Sequence, residues 1–103
     1  MEAGSERPIS IVEEEGGPIL FLRGAIDIFL ADELRQAAID LQGREVDIHV
    51  CCQKADHLDT SAVQVLLALK KGLQAKGKAV KITRISSQVE NLLKLVGLTD
   101  LRA

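Results

Sequence analysis

Two hydrophobic periods share this chain, and the places where one gives way to the other mark its elements. Residues 9–15 mix Ile-Ser-Ile-Val with acids and predict a first, edge strand. Gly16-Gly17-Pro18 is a turn signal. The unbroken apolar run Ile19-Leu20-Phe21-Leu22 predicts a strand buried on both faces. Two strands joined so closely must pair antiparallel. After Gly24, Ala25-Ile26-Asp27-Ile28-Phe29 leads into a helix predicted near 30–42. Leu30, Leu34, Ala37, Ala38 and Leu41 fall at helical spacing, with Asp32, Glu33, Arg35, Gln36 and Asp40 mainly opposite. Gly43 is the expected stop of that helix.

Residues 46–52 alternate through Val46, Ile48 and Val50 as a third strand, and 53–58 read as a loop. A second helix is predicted over 61–76, its core arc formed by Ala62, Val65, Leu66, Leu69 and Leu73, with Gly77 ending it. Residues 79–85 predict a fourth strand with Val80 and Ile82 inward. Ser87-Gln88-Val89-Glu90 has capping-box spacing and opens a third helix near 88–96, closed by Gly97-Leu98. The order is β-β-α-β-α-β-α. It implies an α/β fold: a mixed sheet of four or five strands, right-handed crossovers, and helices mainly on one face. Residues 1–8 read as a flexible tail and 9–103 as a single domain.

Composition narrows the function. At 103 residues the chain suits one hydrophobic core. Charge is mixed, with a net of −2, and no basic patch favours nucleic acid. Two Phe with no Tyr or Trp leave few stacking platforms for bases or sugars. No apolar run approaches the roughly 20 residues that span a bilayer, and the polar, acidic start carries no signal-peptide pattern. A cytoplasmic location is therefore expected. The adjacent Cys51 and Cys52 fit a disulfide poorly and read as apolar filler at a buried strand end. His49 and His57 lie eight positions apart without a matching ligand cluster, so no metal is expected. No Gly-rich nucleotide loop, nucleophile elbow or base–nucleophile pair stands out, so neither a cofactor nor an enzymatic activity is expected. Asp27, Asp56 and Asp59 form a candidate acidic set on one side of the sheet, as a Mg²⁺-binding receiver would have. Solvated loop acids and caps are the alternative.

The chemistry concentrates at Leu58-Asp59-Thr60-Ser61-Ala62, where a strand-like run meets an amphipathic helix. Helix starts present free N–H groups and about half a positive charge. Asp-Thr-Ser there is ordinary N-capping chemistry. It is equally a hydroxyl beside a carboxylate, placed to accept a phosphoryl group or to face a partner's nucleotide site.

Several segments in order resemble the STAS domain family of anti-sigma-factor antagonists and their relatives. Leu22-Arg23-Gly24-Ala25-Ile26-Asp27 resembles the family's glycine-x-hydrophobic-aspartate segment, and Leu58-Asp59-Thr60-Ser61-Ala62 its Asp-Ser-Ser-Gly phosphorylation motif. Residues 66–77 and 92–101 resemble its following helix and its closing helix. The resemblance implies a non-enzymatic regulatory module phosphorylated by a partner anti-sigma factor that acts as a serine/threonine kinase. The dephosphorylated form binds that partner, and a phosphatase resets the switch. Carried over, Thr60 (less favourably Ser61) is the phosphoacceptor, with Asp27, Asp59 and Ser61 as its environment. Thr60 replaces the family's common serine and Ala62 its glycine. Leu30 stands where a Ser or Thr often caps the first helix, and Cys51 where many members have aspartate. The threonine also matches relatives that act as constitutive subunits docked on an ATPase, as in phospholipid-transport ABC complexes. The partner is then another nucleotide-binding protein.

The second helix also suggests a docking face. Val63 and Leu67 fall outside its core arc on a helical wheel, beside Lys70, Lys71 and Gln74. Val63, Leu67, Lys70 and Lys71 are therefore the expected partner-binding residues. Cover by a neighbouring element is the alternative.

Overall fold

The computed structural model describes residues 7–83, 87 and 89–91. The hairpin foreshadowed by the glycine pair is its first unit. β1 (Ile9–Glu14) and β2 (Gly17–Ile26) run antiparallel, from Ile9 opposite Leu22 to Glu14 opposite Gly17. The turn is Glu15-Gly16, and Gly17 follows it with φ 118°. A Cβ at position 17 would also stand 3.2 Å from the Asp47 carbonyl oxygen, so glycine is required twice over.

Then follow α1 (Ile28–Arg44), β3 (Ile48–Leu58), α2 (Thr60–Gln74) and β4 (Val80–Thr83). The sheet order is β1-β2-β3-β4, and β2–β3 and β3–β4 are parallel, each crossover carrying one helix. α1 lies over β1 and β2, α2 over β3 and β4, and the helices touch each other. This is the mixed sheet with one helical layer that the pattern implies. Its core is one face of the sheet under the helices: Leu20, Leu22 and Ile26 from β2, Ile48, Val50 and Leu58 from β3, and Leu34, Leu41, Leu66, Leu69 and Leu73 from above.

Four expectations are corrected. β2 is not buried on both faces: Leu20 and Leu22 point into the core, while Ile19 and Phe21 are half-buried opposite, with the Arg23 guanidinium 4.9 Å over the Phe21 ring. Residues 53–58 are strand rather than loop. Phe21 pairs with Cys51 but Arg23 with Lys54, and Gly24 pairs with Ala55 but Ala25 with His57, so β3 carries two extra residues. Each bulge shifts the alternation, and the inward positions step from Cys52 to Ala55 to Leu58. α1 starts at Ile28 and runs past Gly43, ending on Glu45 in the left-handed region at φ 55°. The Glu45 N–H reaches the Gln42 carbonyl at 3.3 Å. The hairpin turn sits one residue earlier than the Gly16-Gly17-Pro18 signal. Of the third helix expected near 88–96, residues 89–91 are helical and the rest lies outside the described residues, as does most of the 1–8 tail.

Candidate functional site

The site grows from the parallel ends of β2 and β3. Ile26 and Leu58 pair as the last rung, both fully buried. The chain leaves each strand through an aspartate in extended conformation, Asp27 and Asp59, and each aspartate is the N-cap of the next helix. The Asp59 N–H donates to the Ile26 carbonyl at 2.8 Å, tying one cap to the strand that feeds the other. α1 and α2 therefore begin side by side, and their positive ends open on the same edge.

Each cap is used. Asp27 Oδ1 accepts from the Phe29 N–H at 3.0 Å and the Leu30 N–H at 3.2 Å. This corrects the reading of Leu30 as the capping position: Asp27 holds that role, and Leu30 lies in the first turn. Asp59 Oδ2 accepts from the Ser61 N–H at 2.9 Å and the Ser61 hydroxyl at 2.6 Å. The Ser61 hydroxyl, then its N–H, holds the Asp59 carboxyl below the usual range, and the nearby His57 adds to the effect. Asp59 is thus an anion at neutral pH, with Oδ2 engaged by Ser61.

Thr60 lies between these groups as the first residue of α2, with an exposed side chain. Its neighbouring carboxylate holds Ser61 through Oδ2, and the helix start presents Thr60 to an approaching protein.

The expected docking flank is partly corrected. Val63 is only 3% exposed and belongs to the core, because the buried arc of α2 spans Ala62, Val63, Leu66, Leu69 and Leu73. Leu67 is half-buried against that core, Lys70 is half-buried and Lys71 is exposed. Val65, placed in the core arc from the sequence, sits at its edge and helps line a cleft between α1 and α2 of about 350 Å³. Sequence reasoning missed that cleft, and it missed Ile28 and Phe29 as exposed residues of the first turn of α1. The signal was available: Asp27 is a strong N-cap type, and a helix starting after it leaves Ile28 and Phe29 off the Leu34–Ala38–Leu41 stripe.

The remaining candidates are quiet. Cys51 and Cys52 are free and buried, and burial pushes the Cys52 thiol up to about 12, far from thiolate chemistry. Among the described residues no group of three or more His, Cys, Asp or Glu is placed to hold a metal ion, and no helix is long and apolar enough to cross a membrane.

Comparison with known proteins fits this geometry. The anti-sigma-B factor antagonist of Bacillus subtilis (strain 168) is 22% identical over 93 residues, covering 90% of this chain and 85% of that protein. The anti-sigma factor antagonist SpoIIAA in its unphosphorylated form superposes with a TM-score of 0.70 at 13% identity, over 84% of this chain and 82% of that one. The Bacillus cell fate determinant SpoIIAA in its phosphorylated form gives 0.73 at 14% identity, over 92% and 88%. The STAS domain pattern matches residues 8–102, and with the hairpin, the parallel crossovers and the paired caps in place, this chain belongs to the STAS domain family.

Proposed function

We propose that this chain is an anti-sigma-factor antagonist that works in partner switching, turned off by phosphorylation of Thr60. The observation that carries the reading is the exposed Thr60 at the first position of α2, directly after the cap Asp59, whose N–H is bonded to the Ile26 carbonyl just before the other cap, Asp27. A similar fold, SpoIIAA, has been solved in both phosphorylated and unphosphorylated forms.

The partner is an anti-sigma factor with serine/threonine kinase activity, acting in the cytoplasm. It supplies ATP and the base. The γ-phosphorus bonds to Thr60 Oγ1, its bond to the bridging oxygen of ADP breaks, and the hydroxyl proton passes to the kinase. The chain's own residues present and orient the acceptor. A phosphate adds about −1.5 to −2 charge. At this edge it joins Asp59, anionic and engaged, and Asp27, so a surface complementary to the free hydroxyl loses its fit. A phosphatase that hydrolyses the ester restores binding. Ser61 is the weaker acceptor, because its hydroxyl already donates to Asp59.

The test uses Thr60→Asp and Thr60→Ala with the purified partner kinase. Intact-mass spectrometry should show a single phosphate on wild type and none on Thr60→Ala. Thr60→Asp should weaken partner binding at least tenfold, while Thr60→Ala binds like wild type. Both substitutions should leave the fold intact, since Thr60 is exposed and Asp59 remains the cap. Phosphate on Thr60→Ala, or equal binding by Thr60→Asp and wild type, sinks the reading.

A further inference from the structure

We infer that the kinase partner docks an amphipathic helix into the cleft between α1 and α2, on the Ser61–Val65–Ala68 flank of α2. The inference rests on Thr60 being the residue that partner modifies. Its first support is continuity. Ser61, next to Thr60, also lines the cleft, so the cleft starts in the turn that any protein reaching the Thr60 hydroxyl must cover. From there it runs between Val65 and Ala68 of α2 and Ala38, Ile39 and Gln42 of α1. Small side chains on both helices leave room for the ridge of a third helix.

The second support is apolar surface left exposed among the described residues. Ile39 is 57% exposed on the cleft wall. Ile28, eleven positions earlier and hence on the same face of α1, is 62% exposed. Single exposed apolar side chains are normal, but Ile28 and Ile39 along one edge of α1 extend the cleft wall to the start of the helix as a patch.

The third support is charge, which selects the occupant. Two carboxylates adjoin the cleft through its lining residues: Asp32 pairs with the Arg35 guanidinium at 3.0 Å, and Asp59 accepts from Ser61. An apolar ridge flanked by Lys or Arg side chains complements that rim, and an acidic segment does not. Phosphorylation of Thr60 strengthens the negative rim at its inner end. Release after phosphoryl transfer therefore arises from loss of the apolar fit at the crowded helix start rather than from weaker long-range attraction.

The probe is the anti-sigma-factor kinase of the source organism that labels wild-type Thr60 with phosphate from ATP. Binding is measured by titration calorimetry with Ile39→Asp, Ile28→Ala and Lys81→Glu, each checked by its thermal midpoint. Ile39 and Ile28 are exposed, so these variants should fold. Ile39→Asp and Ile28→Ala should each raise Kd at least tenfold and slow phosphorylation of Thr60 through KM, with kcat nearly unchanged. Lys81→Glu, on the sheet face away from the helices, should stay within twofold. Wild-type affinity for Ile39→Asp, or a tenfold loss confined to Lys81→Glu, overturns the cleft while leaving Thr60 phosphorylation standing. If no kinase labels wild-type Thr60, the underlying reading fails first and the docking inference falls with it.

Discussion

Asp27 separates structural from functional work in one residue, and two substitutions tell them apart. Its carboxylate accepts from two N–H groups of the first turn of α1, at 3.0 and 3.2 Å. Alanine removes the shared acceptor, Oδ1, and leaves both donors to water, since this end of the helix is exposed. Loss of such a cap costs about 1 kcal/mol. For 103 residues the unfolding entropy is roughly 0.22 kcal/mol per degree, so about 1 kcal/mol corresponds to a fall in Tm of ~5 °C. Asparagine keeps the cap geometry and discards the charge, and it should lie within ~2 °C of wild type, since Asn and Asp cap about equally well. Differential scanning calorimetry at neutral pH reads both changes. If Asp27 also shapes the phosphoacceptor site, Asp27→Asn will alter the rate of Thr60 phosphorylation at unchanged stability. Were Asp27→Asn to fall as far as Asp27→Ala, the capping argument would be wrong. An unchanged Tm for Asp27→Ala would show that the two hydrogen bonds contribute nothing.

Two further outcomes follow from local geometry. Glu45 closes α1 in the left-handed region, which costs a side-chain-bearing residue roughly 1–2 kcal/mol. Glu45→Gly should gain about 0.5–1 kcal/mol after the extra freedom of glycine in the unfolded chain is counted, raising Tm by ~2–5 °C in calorimetry. Its exposed contact with Lys76 is a small loss, and a lower Tm would refute the account. Asp59 has a depressed folded carboxyl, so its contribution to stability is present above the unfolded value of 3.8 and disappears as pH falls through the folded one. In melts from pH 6 downward, Ser61→Ala should be destabilised relative to wild type near neutrality and converge with it in acid; a constant gap contradicts this.

How much of this could be read beforehand depended on whether local pattern and tertiary placement agreed. Gly17, the parallel crossovers and the Leu66–Leu69–Leu73 stripe were legible, because each is imposed by backbone geometry or a single helical period. The start of α2 at Asp59-Thr60-Ser61 was legible from its capping chemistry. Three things were not. The strand from Gln53 to Leu58 broke alternation at its bulges and so looked like loop. Val63 lies at the edge of a wheel, where the width of the buried arc is set by what packs on α2 rather than by α2 itself. Ile28 and Phe29 were placed in the approach to the helix, because the apolar stripe starts at Leu30, whereas Asp27 had already capped it.

The two bulges in β3 have a consequence for chain length. Between the Phe21–Cys51 and Ile26–Leu58 pairs, β3 uses two residues more than its neighbour. That segment holds slack. Removing one bulge residue, such as Gln53, turns a three-residue step into the ordinary two-residue one. Ala55 and Leu58 would still face the core, and Asp59 would still reach the Ile26 carbonyl. The same deletion at His49, where Ile48 and Val50 alternate without interruption, would turn one side of the strand inside out. Insertions and deletions in this strand are therefore unequal. The stretch leading up to Thr60 can lose a bulge residue without moving the acceptor, while the stretch before it is held to the residue.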